Sequence, residues 1–428
     1  MAEIRKDMPL ATRQPVTGNN SSDFNAPAKK TIINYFKNGY RREAYRMPFY
    51  WNAIKHHDFI THELTGLLFP IAEGRFSRLP KVQAVINRPD FFHVWFDKLY
   101  AADMPSSLSF VKILSSFDQM AVKPEQAFID MLSNEIDFEK LSPRGLNDFI
   151  VATARINLPV EKDVLKKWIL ALGGKLEKYN NADMAICIWS LAAIDARIRN
   201  PELRDVARIL LERYDPSSST NHELSQINAA ALWFQFPEYQ SFSYTSDNIQ
   251  SELEQNVRNA FARAGNEIFP ADRHFLPALQ RFVDIRMLSN GKHVVAEVDG
   301  PRHFIRNLDT NEFEFNGSTI LQTAILGRLV PDAVIVRANY LHKEALRLAL
   351  GTATASNEFA RHLTDEFSRV KPGQYKTDIA GTRVSLKPFF DSASLPDYAP
   401  PYIPPELPAR PSWMSRAYRA LKGLNPLG

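Results

Sequence analysis

Asp284, Glu297, Asp299 and His303 fall within one stretch of twenty residues, "DIRMLSNGKHVVAEVDGPRH". Three carboxylates and an imidazole are the groups that hold a divalent cation through oxygen, activate a water and move a proton, so this stretch is the candidate for phosphoryl-transfer chemistry. A strand alternates its side chains between two faces, which puts Val294, Ala296 and Val298 on one side and Glu297 and Asp299 on the other. Asn290-Gly291 is the strongest short hairpin signal, because a type I′ turn needs positive φ at both central residues. With those two as the loop, Ser289 faces Lys292, Asp284 lies opposite Glu297, and Phe282 lies opposite Asp299. Val283, Ile285 and Met287 join the apolar side.

Carboxylates opposed across a ladder destabilise it unless something cationic sits between them. The candidates are Mg²⁺ or Mn²⁺ with oxygen ligands, an Arg or Lys side chain, or a shared proton. A metal held by Asp284, Glu297 and Asp299 stabilises a pentacoordinate phosphate and acidifies the attacking water. His303, just beyond the Gly300-Pro301 turn, is set to take a proton from that water or to contact phosphate. The competing arrangement pairs the same acids with Arg286, Arg302 or Arg306 in an exposed ion network. Spacing alone leaves both open.

The run "AEVDGPRHF", followed after a loop by "NGSTILQTAILGRLV" and the apolar strand "AVIVRANY", resembles the RAP domain, a module at the C-terminus of RNA-associated proteins. The resemblance covers about Phe269 to Leu350, with its three blocks in the right order. It implies a restriction-endonuclease-like fold of the PD-(D/E)xK type, RNA as partner, and upstream helical repeats of the octotricopeptide or heptatricopeptide kind. Carried over, the first metal carboxylate is Asp284 and the second Glu297. Asp299 stands where the nuclease motif has its lysine, so the missing cation falls to Lys292, Arg302 or His303. Gln322 occupies a place on the following helix where that fold often has a polar site residue; the competing reading is a surface glutamine. Lys292, Arg302, Arg306 and Arg328 are the cations expected to offset the acidic face toward phosphate.

The elements around this block read as follows. Helix Thr319 to Leu329 starts from Ser318 or Thr319 as N-cap, strand Ala333 to Arg337 follows, and "LHKEALRLALG" is a helix ending at Gly351. Together they form a small α/β layer open on one side. Upstream, apolar residues three and four apart mark amphipathic helices in "LSFVKILSSFDQM", "GLNDFIVATARI", "DMAICIWSLAAI" and "LSQINAAALWF". Leu114, Ile150, Ile188 and Ile227 taken as equivalent give steps of 36, 38 and 39 residues. Second helices begin at or near Pro124, Pro159, Pro201 and Pro237. A period of this size with two helices per unit predicts an α-solenoid from 31 to 268, followed by the α/β unit at 269–351; an irregular bundle is the competing arrangement.

Residues 1 to 30 have no periodicity and predict a disordered arm. From Lys29 to Arg46, cations interleave with Tyr35, Phe36, Tyr40 and Tyr45. Tyr40, Arg41 and Arg42 are candidates to stack bases and pair phosphates, against the simpler reading of a docked amphipathic helix. Beyond Gly351 the sequence predicts one helix in "SNEFARHLTDEFSRV", an extended proline-rich stretch, and a short basic helix anchored by Trp413 in a tail spanning 352–428.

Composition narrows the class. The chain has 428 residues and a net charge of only +4, so nucleic-acid affinity must come from local clustering. Cys187 is the single cysteine, which excludes a disulfide framework and suits a reducing compartment. No apolar run approaches the ~18 residues of a membrane span, and no apolar signal core follows the N-terminal charges. The expectation is a soluble cytoplasmic protein. Its Ser/Asn-rich start resembles a type III secretion leader, which opens export to a host cell as an effector acting on RNA. Three functions remain open: a metal-dependent endoribonuclease, a non-catalytic RNA-binding or stabilising factor, and a protein-interaction solenoid.

Overall fold

The structure, a computed structural model, describes residues 27–39, 47–72, 91–239, 252–263, 265–270, 275–276, 281–330, 333–339 and 375–377. It is mostly helical, with a small mixed-sheet region in the C-terminal part. Among the described residues four helices come first: α1 (Lys29–Asn34), which runs on through a π turn at Tyr35–Gly39, α2 (Met47–Ala53), α3 (Thr61–Ala72) and α4 (Phe91–Ala101). Here the two described rings of the basic-aromatic segment, Tyr35 and Phe36, go to the core. Tyr35 stacks on Tyr50 at 4.1 Å and Phe36 meets Trp51 edge-on, while Lys29 pairs with Glu63 at 2.6 Å. Tyr35 and Phe36 are buried, so neither is presented for stacking on a base.

Next come helix pairs: α5 (Ser107–Met120) with α6 (Gln126–Glu135), α7 (Pro143–Arg155) with α8 (Lys162–Gly173), α9 (Asn181–Ile198) with α10 (Pro201–Leu211), and α11 (Asn221–Phe234), followed at a distance by α12 (Glu252–Arg263). Ser106, Ser142, Asn180 and Thr220 start the first helix of each pair by accepting from its third backbone N–H, at steps of 36, 38 and 40 residues. Left-handed residues at Ala121, Asn157, Arg199 and Gln235 reverse the chain after each of them. Leu114, Ile150, Ile188 and Ile227 are all fully buried, and α5, α7, α9 and α11 pack on one another in that order. Polar contacts obey the same period: Asn147 Nδ2 donates to Asp183 Oδ1 at 2.9 Å, Arg213 to Glu177 at 2.6 Å, and Trp233 Nε1 to Asp195 at 2.8 Å. Of the prolines expected at or near the starts of second helices, Pro201 is the first residue of α10, Pro124 and Pro159 stand just ahead of α6 and α8, and Pro237 opens a short 3₁₀ turn.

The strands are β1 (Val122–Lys123), β2 (Glu267–Ile268), β3 (Phe275–Leu276), β4 (Arg281–Phe282), β5 (Ile285–Ser289), β6 (Lys292–Asp299), β7 (Phe304–Asn307), β8 (Phe313–Phe315), β9 (Val334–Asn339) and β10 (Tyr375–Thr377). Five form a mixed sheet in the order β10-β9-β6-β5-β2, in which β6 pairs antiparallel with β5 and parallel with β9. The connection from β6 to β9 carries the β7–β8 hairpin and helix α13 (Gly317–Leu329). Its N-cap is Asn316, whose side chain accepts from Thr319 N–H, and not Ser318 or Thr319 as expected. The ends of the β9 strand also run later than expected, to Asn339.

Helix α13 lies between the sheet and the repeats, touching α7, α9 and α11. The approach is closest at Gly317, where an added Cβ would stand 1.9 Å from the carbonyl oxygen of Ala154. Covered by α10 on one side and α13 on another, α9 is buried around most of its circumference. The hairpin is tied down as well. β1 pairs parallel with β7, the Asp309 carboxylate accepts from Gln126 N–H at the start of α6, and Lys123 pairs with buried Glu314. One apolar cluster therefore runs from the first helices through the repeats to Val295, Phe315, Leu326 and Ile335. Several expected features lie outside the described residues: the arm before Pro27, the helices in 341–351 and 356–370, the proline-rich stretch, and the final basic helix. Among the described residues no helix is long and apolar enough to cross a membrane.

Candidate functional site

The β5–β6 turn forms as the sequence dictates. Asn290 and Gly291 both take positive φ, and the ladder runs from Ser289↔Lys292 to Ile285↔Ala296. It stops one residue short of the expected carboxylate pair. Asp284 leaves the ladder and its Oδ2 accepts from the backbone N–H of Val298 at 2.6 Å, so its carboxylate stands in for a strand carbonyl. Phe282 does not face Asp299 either; it pairs with Phe275 in the β3–β4 hairpin.

Both faces of β6 are covered. Val294, Ala296 and Val298 are buried on one side, and on the other Glu297 is 2% exposed and Asp299 0%. The acidic face is thus no open surface. Helix α13 lies over it, presenting Thr319, Gln322 and Thr323 at the three- and four-residue spacing of one helical face. Gln322 Nε2 donates to Glu297 Oε2 at 2.5 Å, so this residue is part of the cluster and not a bystander on the surface.

The cation that the sheet demands is Arg337, on β9 and in register with Glu297. Its Nε donates to Asp299 Oδ2 at 2.7 Å and its Nη2 to Oδ1 at 2.5 Å, with 1% and 0% of the two side chains exposed. Nη1 donates to Thr323 Oγ1 at 2.7 Å, and the guanidinium lies 5.5 Å from the centre of the Phe315 ring. Burial pulls the guanidinium pKa down, but the attraction of Asp299, with Glu297 and Asp284 behind it, more than offsets this and leaves it above the ordinary arginine value. A fork-on-fork pair with both partners dry is the geometry in which such a charge is tolerated. The cation on Asp299 is therefore one buried arginine, where the sequence had offered Arg286, Arg302 or Arg306. Its signal in the sequence was a lone charge inside "AVIVRANY", since a strand buried on both faces carries an arginine only opposite an acid.

His303 sits on the turn Pro301–His303 at the end of β6, its side chain 34% exposed. Nδ1 lies 3.1 Å from Asp299 Oδ1 and 3.1 Å from Thr319 Oγ1. An ionised carboxylate can only accept, so Nδ1 carries the proton and, in the neutral ring, the lone pair is on Nε2. Arg302, the preceding residue, is exposed; its backbone carbonyl accepts from the Asn316 amide, which leaves its side chain out of the folding of the turn.

Among the described side chains, Lys292 and Arg306 are not gathered here. Lys292 begins β6, and at ~3.3 Å per residue the eight-residue strand puts it roughly 23 Å from Asp299. Arg306 is 6% exposed and holds the Asn311 side chain across the hairpin, and burial alone lowers its pKa, so it is not presented to a ligand. Arg328 is on α13; its side chain, like Tyr40, Arg41 and Arg42, lies outside the described residues.

No protein-family model matches the chain, and no curated protein does. The geometry alone bears on the chemistry. As placed, Asp299 commits both oxygens to Arg337, Glu297 and Asp284 each commit one to a donor, and among the described residues no three His, Cys, Asp or Glu side chains converge on one point. What the cluster offers is an imidazole seated by a buried carboxylate, with an exposed arginine, Arg302, preceding it in the chain. Cys187 is buried, and burial raises the pKa of its thiol, so it has no part in this chemistry.

Proposed function

We propose that the chain binds RNA and cuts it at the end of β6, as an endoribonuclease with a RAP-like C-terminal unit docked on helical repeats. One observation carries the reading: His303 is held through Nδ1 by buried Asp299, stays partly in solvent, and has exposed Arg302 as its neighbour. General-base chemistry on a phosphodiester asks for that combination of an oriented imidazole and a cation for the phosphate. The E-x-D-G-P-x-H-F block and the repeat period support RNA as the substrate class.

A second reading has its own support. Arg337 and Gln322 fill the space around Asp299 and Glu297, which favours a factor that clamps or protects RNA without cutting it. The test is to incubate the purified full chain with single-stranded and structured RNAs in Mg²⁺, Mn²⁺ or EDTA. Cleavage lost in His303→Gln supports the first reading, and the metal arms decide whether a cation takes part. Binding without cleavage in all three conditions supports the second. If RNA is neither bound nor cut, both fail and the protein-interaction solenoid is left.

A further inference from the structure

We propose that cleavage at His303 needs no metal, because the nucleophile is the 2′-hydroxyl of the RNA itself. This rests on the endoribonuclease reading and specifies its reaction class and its substrate. A nuclease that hydrolyses a phosphodiester must generate hydroxide, and the usual device is a cation on a carboxylate cage. Here Asp299, the residue at the centre of the acidic face, is locked in a buried fork with Arg337. Its remaining work is directed at His303, whose Nδ1 lies 3.1 Å from Oδ1. That leaves the imidazole as the base, and a base alone suffices only when the attacking oxygen arrives with the substrate.

Nε2 takes the proton of the 2′-hydroxyl as O2′ bonds to the adjacent phosphorus. Two negative charges accumulate on the phosphorane oxygens, and the group assigned to close on them is the exposed side chain of Arg302, the residue before His303. The P–O5′ bond then breaks, and the 5′-oxygen takes a proton from the imidazolium, returning His303 to its starting state. The products are a 2′,3′-cyclic phosphate and a 5′-hydroxyl, with no water, metal or redox partner consumed. Asp299 is a positioning residue: it fixes the tautomer and lies against the imidazolium while that exists. Arg337 and Thr319 in turn fix Asp299 and the ring. DNA lacks the nucleophile and must be refused.

The experiment uses the full chain with a 5′-labelled single-stranded RNA, the DNA of the same sequence, and that DNA carrying a single ribonucleotide, all in EDTA. The expected result is RNA cut to fragments ending in 2′,3′-cyclic phosphate and 5′-hydroxyl, intact DNA, and one cut directly after the lone ribonucleotide. His303→Gln should lower the rate ~100-fold or more, with RNA affinity unchanged within about threefold. Arg302→Ala, on an exposed side chain outside the fold, should lower it ~10-fold or more. Cleavage that requires Mg²⁺ or Mn²⁺ and leaves 5′-phosphate ends would overturn this inference while the endoribonuclease reading stood. Cleavage in EDTA that persists in His303→Gln, prepared in parallel, would overturn it as contamination or another site. Intact RNA in every condition would overturn both.

Discussion

The repeats and the C-terminal sheet satisfy their charged groups by opposite means. Between repeats, ion pairs such as Arg213–Glu177 and Arg155–Asp118 link neighbours one period apart and keep at least one partner in water. In the five-stranded sheet, Arg337 and Asp299 meet in the dry interior, and between β1 and the β7–β8 hairpin Lys123 reaches Glu314 across 191 residues of sequence. An exposed pair is dispensable because water replaces either partner. A buried pair is all or nothing, since removing one member leaves the other without solvent or counter-charge. The repeats therefore draw their stability from burying one helix on the next, whereas the sheet depends on a handful of individual residues.

Substitution should expose this difference in a graded way. Arg337→Met strands Asp299 and should destabilise the chain by about 3–5 kcal/mol, while adding Asp299→Asn to it should recover part of the loss; denaturant titration of the single and double variants reads both. If the single variant were as stable as the parent, the buried pair would not be what holds the sheet. Gly317→Ala drives a methyl into the Ala154 carbonyl and should cost about 1–3 kcal/mol through the displaced α13, seen as a lowered melting temperature.

Asp118 offers a test by pH. Burial raises its carboxyl to about 6, only partly relieved by Arg155. The folded state then holds the proton more tightly than the unfolded one, so stability falls as pH rises through about 4 to 6 and the cost is fully present above that window. Asp118→Asn should flatten this slope and raise stability at neutral pH by on the order of 1 kcal/mol, measured by thermal melts from pH 4 to 8. Smallest of all, Arg213→Ala should change stability by less than about 1 kcal/mol. A larger loss would mean that inter-repeat pairs act as a connected network and the contrast would fail.

Legibility follows the same division. The buried equivalents Leu114, Ile150, Ile188 and Ile227 and the turn at Asn290-Gly291 depend on residues within one period or one hairpin, so spacing reveals them. Asp284 was read as a ladder partner of Glu297 because local alternation cannot show a strand ending early. Arg337 was passed over because its partner is 38 residues away and joined only by the parallel pairing of β6 with β9. The burial of Glu297 and Asp299 beneath α13 was likewise invisible, since no local pattern says which helix will cover which face. Lys292 was grouped with the site by its nearness in sequence, and strand geometry carries it to the far end.

Helix α13 is clasped on both of its long sides. A fragment ending near residue 270 would keep every repeat yet strip the lid from α7, α9 and α11, leaving an oily trough where Leu321 and Leu326 now rest. The severed sheet would inherit the mirror-image wound. Neither half can be studied as a smaller version of the whole, and the seat of His303 exists only while the two are joined.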